Sequence, residues 1–199
     1  MRIEAVPEGF TIKDVVSGLA DSLKLDNFEF VIYLPGTDGY ENPPQLRATY
    51  EAEYVRRIEL ETIRREMVGS LGRLERSEEE YALGLSSLVF AGDVQFHTPQ
   101  IDFVLQTSEI NLNEIYRYLE EIKQTEGYIV ESGNSYHFQG VDIMPYTAWT
   151  NYMDSLDDNL VDGHWIDSNL IDRHFSVLRL TSAFGKPQTP RVISRIYSK

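Results

Sequence analysis

Apolar residues recur along this chain in two periods, and each period predicts its own kind of element. FEFVIYL (Phe28 to Leu34) is a run of aromatic and β-branched residues stopped by PGTDGYENPP, which reads as a strand followed by a loop. From about Ala48 to Met67 the pattern changes. Tyr54, Ile58 and Ile63 fall at near-helical spacing among Glu and Arg, predicting an amphipathic helix, with a second helical piece through LGRLERSEEEYALG. Leu88 to Phe96 and Ile101 to Gln106 read as two extended runs that turn at His97-Thr98-Pro99. INLNEIYRYLEEIKQTEG then places Ile115, Tyr118, Leu119 and Ile122 on one helical stripe, with Gly127 after its last turn. YIVES and SYHFQG, joined through Ser-Gly-Asn-Ser, predict a hairpin. Pro145 to Asp172 reads as mostly helical, and HFSVLRLTSAF as a late strand before GKPQTPRVISRIYS. The order β-β-α-β-β, then helices, then β, predicts an α+β fold: a mixed or antiparallel sheet with helices packed on it. Residues 1–85 are expected to form a smaller strand-plus-helices layer, and residues 86–199 the main core.

Composition narrows the chemistry. The chain has 199 residues, long enough for a proper core, and no cysteine, which excludes thiol catalysis, disulfides and thiolate metal sites. No signal peptide and no apolar run of membrane-spanning length is visible, so the expected location is cytoplasmic. The net charge is −14, unevenly spread. From Arg173 to Lys199 there are six basic residues and no acidic one, so the first 172 residues carry −20. An acidic body with a basic tail segment hints at a localised anion site, for which an incidental solvated segment is the plain alternative.

Six aspartates (154, 157, 158, 162, 167 and 172) crowd one segment with no Lys or Arg between them. A calcium loop starting at Asp158 fails, because Leu160 occupies its third place and Asn169 its twelfth. An acidic surface with helix-capping aspartates explains the cluster otherwise. The four histidines show no zinc spacing. Ser135, His137 and Asp142 are the residue types of a hydrolytic triad, but no GxSxG elbow occurs, and residues i and i+2 of a strand point the same way. Neither GxxxxGK[ST] nor GxGxxG is present. A phosphate would instead be met by the Ser-Gly-Asn-Ser turn, by His137 and by the late basic residues Arg179 and Lys186.

At this point a resemblance enters. ESGNSYHF resembles the second motif of archaeo-eukaryotic primases and primase-polymerases, a Ser-x-His after a Gly turn. WIDSNLIDRHFSVLRLTSAFGKPQTPRVI is similar to their third region, and QIDFVLQT to the strand that carries their first motif, Asp-x-Asp. The resemblance spans roughly residues 86–193. It implies a nucleotidyltransferase using Mg²⁺ or Mn²⁺, with Asp102 and Asp167 (or Asp172) as catalytic and metal-holding acids. Ser135, His137, Arg179 and Lys186 would hold a nucleoside triphosphate, and nucleic acid would lie along the basic segment 173–199. One departure stands out: the second acid of the first motif is Val104. Asp93, the other acid offered for this strand, is followed by Gln95 in the same way. Two alternatives follow, a lapsed primase-like binding or assembly module and a Tyr-rich protein–protein interaction domain with no nucleotide role. The primase reading requires Asp102, His137, an aspartate from 167 or 172, and Arg179 to converge on one cleft.

Overall fold

The computed structural model describes residues 1–35, 45–72 and 77–198. Among these residues, two antiparallel sheets and six α-helices make an α+β architecture. The strands are β1 (Arg2–Ala5), β2 (Asn27–Tyr33), β3 (Leu46–Glu51), β4 (Ala82–Ala91), β5 (Val94–His97), β6 (Gln100–Asp102), β7 (Gly127–Glu131), β8 (Tyr136–Gly140), β9 (Val177–Arg179) and β10 (Arg191–Tyr197). The helices are α1 (Ile12–Leu23), α2 (Ala52–Arg57), α3 (Leu60–Gly69), α4 (Glu109–Glu121), α5 (Tyr146–Asp154) and α6 (Gly163–Asp167), the last continued by a π-helical turn over Ser168–Arg173. One sheet runs β1-β10-β7-β8-β6 and the other β3-β2-β4-β5, with β9 pairing to β4. Residues 1–85 and 86–199 both contribute strands to each sheet.

Each sheet buries two faces. Phe28, Phe30, Ile32, Leu83 and Leu85 of the second sheet pack under α1, α2 and α3, and Tyr128, Val130 and Val192 of the first sheet join the same core. The other face of the first sheet (Ile101, Ile129, Phe138, Ile196) is covered by Ile115 and Leu119 of α4, Trp149 of α5 and Trp165 of α6. α1 starts in a capping box between Thr11 and Asp14. α4 is capped by Ser108, whose hydroxyl accepts the Asn111 N–H.

A polar seam runs between the sheets. The Gln100 side-chain amide donates to the Gln139 side-chain oxygen (2.9 Å), the Ser176 hydroxyl donates to Gln100 Oε1 (2.9 Å), and the Gln139 amide donates to the Thr98 hydroxyl (3.1 Å). Ser87 Oγ lies 3.0 Å from His97 Nδ1. All of these residues are buried, and the pairing satisfies groups that would otherwise cost free energy to bury.

Three predicted elements differ. Leu46–Glu51, which overlaps the start of the helix predicted from about Ala48, is an edge strand, because β2 offers it a full ladder from Asn27↔Glu51 to Ile32↔Leu46. The second helical piece, residues 71–84, is a single 3₁₀ turn at Glu78–Glu80 that runs into β4 at Ala82, with residues 73–76 outside the described residues. The run Leu88 to Phe96 is broken at Gly92-Asp93, a two-residue turn that pairs Ala91 with Val94. The predicted loop at 36–44 also lies outside the described residues. Among those residues no helix is long and apolar enough to cross a membrane.

Candidate functional site

The site grows out of one end of the polar seam. β6 and β8 pair in the register Gln100↔Gln139, Ile101↔Phe138, Asp102↔His137. Alternation turns Ile101 and Phe138 into the helix-covered core. It leaves Gln100, Gln139, Asp102 and His137 on the face toward the other sheet. The glutamine pair is sealed. Two residues on, where the sheets part, Asp102 and His137 open into a cleft of about 290 Å³. His137 Nε2 lies 3.3 Å from the Asp102 carboxylate, and its Nδ1 is buried without a hydrogen-bond partner. A phosphate oxygen approaching Nε2 therefore meets a nitrogen that already faces a carboxylate.

A second acid stands beside the first. The antiparallel bridge Phe103↔Val161 brings the next chain segment alongside β6, and the Asp162 N–H donates to the Asp102 carbonyl (3.0 Å). Asp162 lines the cleft together with Asp102 and His137. Its carboxylate caps α6, accepting the N–H groups of His164 (3.0 Å) and Trp165 (3.3 Å). Trp165 is fixed in turn, its indole N–H donating to the Val177 carbonyl (3.1 Å).

The opposite wall is made of two turns. Ser132, Gly133, Asn134 and Ser135 join β7 to β8, and Gly133 has φ +110, a conformation that L side chains rarely adopt. A Cβ there would sit 3.0 Å from the Gln188 side chain. Gly185, Lys186, Pro187 and Gln188 line the cleft beside it. Arg179, at the end of β9, joins the two: its guanidinium donates to the carbonyls of Thr181 (2.9 Å), Lys186 (3.4 Å), Gln188 (2.7 Å) and Ser132. Arg179 is buried, and its charge sits under the wall of the cleft.

Of the residues singled out from sequence, the structure brings Asp102, Ser135, His137, Arg179 and Lys186 onto this cleft and leaves out Asp167 and Asp172. Both excluded aspartates are exposed, at the far end of α6 and on the π-helical turn, while the start of α6 faces inward. The acid at the cleft is Asp162. Its signal was present in the sequence as a helix-capping aspartate in Val-Asp-Gly, but the pairing of its segment with β6 is a tertiary fact. Asp93 lies exposed in the β4–β5 turn, and Asp142, of the triad reading, is exposed and outside the cleft.

A two-metal centre does not fit these residues. It needs carboxylates that bridge two cations so that the attacking and leaving oxygens are neutralised together. Val104 is 49% exposed and can ligate nothing. Among the described residues no group of three or more His, Asp or Glu side chains is arranged to hold a metal ion.

The fold and sequence have known counterparts. The sequence model of the archaeo-eukaryotic primase 1D-like family matches residues 62–190, about two thirds of the chain. The catalytic domain of primase RepB', solved in complex with initiator DNA, superposes with a TM-score of 0.54 at 12% identity, covering 92% of this chain and 84% of that one. A second structure of primase RepB' gives 0.51 at 13% identity, covering 94% of this chain and 56% of that one. At such identities the superpositions speak for the fold alone. No curated protein matches the sequence significantly. The match to the family's sequence over most of the chain, on an architecture shared with primase catalytic domains, establishes that this protein belongs to the archaeo-eukaryotic primase 1D-like family.

Proposed function

We propose that the cleft binds a nucleotide by its phosphates and that the chain acts as a nucleotide-binding module of primase type. The observation that carries this reading is convergence: one cleft is lined by His137, Arg179, Lys186 and the Ser132–Ser135 turn, although their sequence positions span residues 132 to 186. Each part has a role that its chemistry supports. Lys186 is an exposed cation at the rim and meets the ligand as a point charge. The turn lets the main chain come close to an anion, as backbone nests do. Arg179 shapes the wall through its carbonyl contacts and adds positive potential from beneath. His137 meets a phosphate oxygen through Nε2, in exchange for its contact with Asp102.

Nucleotidyl transfer is the less favoured reading, because Val104 stands where the second acid of the first motif would be. Nucleic acid, which the solved RepB' domain holds as initiator DNA, is a further ligand class for this chain, with the basic segment 173–199 as its contact. The acidic body limits that contact to a short stretch.

Calorimetric titration with ATP and with dATP, on the natural chain and on His137→Ala, tests the reading. Binding that weakens at least tenfold in His137→Ala, with an unchanged thermal midpoint, supports it. No heat with either nucleotide in the natural chain rejects it.

A further inference from the structure

A two-metal centre turns its carboxylate oxygens toward the cations that they bridge. The two carboxylates of this cleft differ from that arrangement. Asp102 faces the imidazole of His137 at 3.3 Å. Asp162 accepts two main-chain N–H groups at the start of α6. Each acid has its own partner within the fold. The position two residues beyond Asp102 holds a half-exposed valine. On the far wall stand Arg179 and Lys186, and Arg173 borders the same space.

We propose that the cleft takes phosphate directly onto protein groups, with no bridging divalent cation, and that Val104 is the residue that removes the metal from the site. This rests on the nucleotide-binding reading above but is separable from it. Charge-assisted hydrogen bonds from protein donors can hold a phosphate without a metal. Arg173, Arg179 and Lys186 line the cleft here against the two carboxylates of Asp102 and Asp162. The valine then has a simple consequence: it withholds the carboxylate that would bridge a second cation to the first.

The test has two arms. In the first, ATP affinity is measured in EDTA and in Mn²⁺. Values within about threefold of each other support the proposal. A tenfold or greater gain in Mn²⁺ that disappears in Asp102→Asn overturns it while leaving nucleotide binding intact. If neither condition gives binding, the nucleotide reading fails and the second arm still decides the metal question. That arm uses no nucleotide. Tb³⁺ is added to the protein alone, and emission sensitised through Trp165, which lines the cleft, is recorded. The natural chain is expected to give no emission that depends on Asp102. Val104→Asp, at a position exposed enough to accept the change, is expected to create saturable emission that depends on Asp102. Asp102-dependent emission from the natural chain overturns the proposal. So does a folded Val104→Asp that remains silent, with its thermal midpoint confirming that it is folded.

Discussion

His97 lies flat against Trp149 (ring centroids 4.5 Å apart, planes 20° apart) with Tyr146 nearby, and only 1% of its surface is exposed. Its Nδ1 meets the Ser87 hydroxyl and its Nε2 has no hydrogen-bond partner. Burial lowers its pKa from the ordinary 6.5 to about 4, because the charged imidazolium would lose its hydration there. The unfolded chain therefore takes up this proton first as the pH falls. Stability conferred by neutral His97 is complete above about pH 6.5 and is lost progressively toward pH 4, by up to about 3 kcal/mol. Urea denaturation from pH 7 to pH 4 is expected to show that slope in the natural chain. It should be visibly flatter in His97→Gln, and equal slopes in the two would remove His97 from the account.

Among the elements, β9 is one of two three-residue strands that carry a cleft residue, and its position depends on Gly84. The register Gly84↔Arg179 on β4 brings the two main chains together. A Cβ at position 84 would lie 2.4 Å from a methyl carbon of Val177, which is a branched side chain held on β9. Gly84→Ala is expected to cost about 1–3 kcal/mol of stability through overpacking. It should also weaken nucleotide binding, as β9 and Arg179 are pushed off β4; calorimetry and a denaturation midpoint read both effects.

Elements with a local signal were legible in the sequence: β2 from its apolar run, α4 from its stripe, and the β7–β8 hairpin from its Gly-Asn turn. Elements that rest on distant partners were less so. β3 carries the charges of a helix and becomes a strand because β2 lies beside it. Segment 191–197 gave no clear assignment, although it is held between β1 and β7 in the sheet. The site divides in the same way. His137 and Arg179 stand in recognisable strands, whereas Asp162 joins them through a single bridge between segments some 60 residues apart.

For the whole molecule, the charge of −14 works against compactness. Several ion pairs, such as Arg56 with Asp21 at the surface and Arg47 with the buried Glu29, offset it locally. Raising NaCl from low to moderate concentration is expected to raise the thermal midpoint by roughly 2–4 °C, equivalent to about 1 kcal/mol, as self-repulsion is screened. A lower midpoint would mean that the ion pairs outweigh the net charge.

The wall of the cleft has a property that concerns its history more than its energy. Arg179 grips carbonyl oxygens at residues 132, 181, 186 and 188, groups that every amino acid possesses. The two turns therefore keep their path whichever side chains they carry, apart from Gly133 and Gly185, whose φ of +110 and +80 favour glycine. Mutation can redraw the surface presented to a ligand while the frame beneath it stays put. Such a cleft is free to change its guest from one relative to the next without first rebuilding its walls.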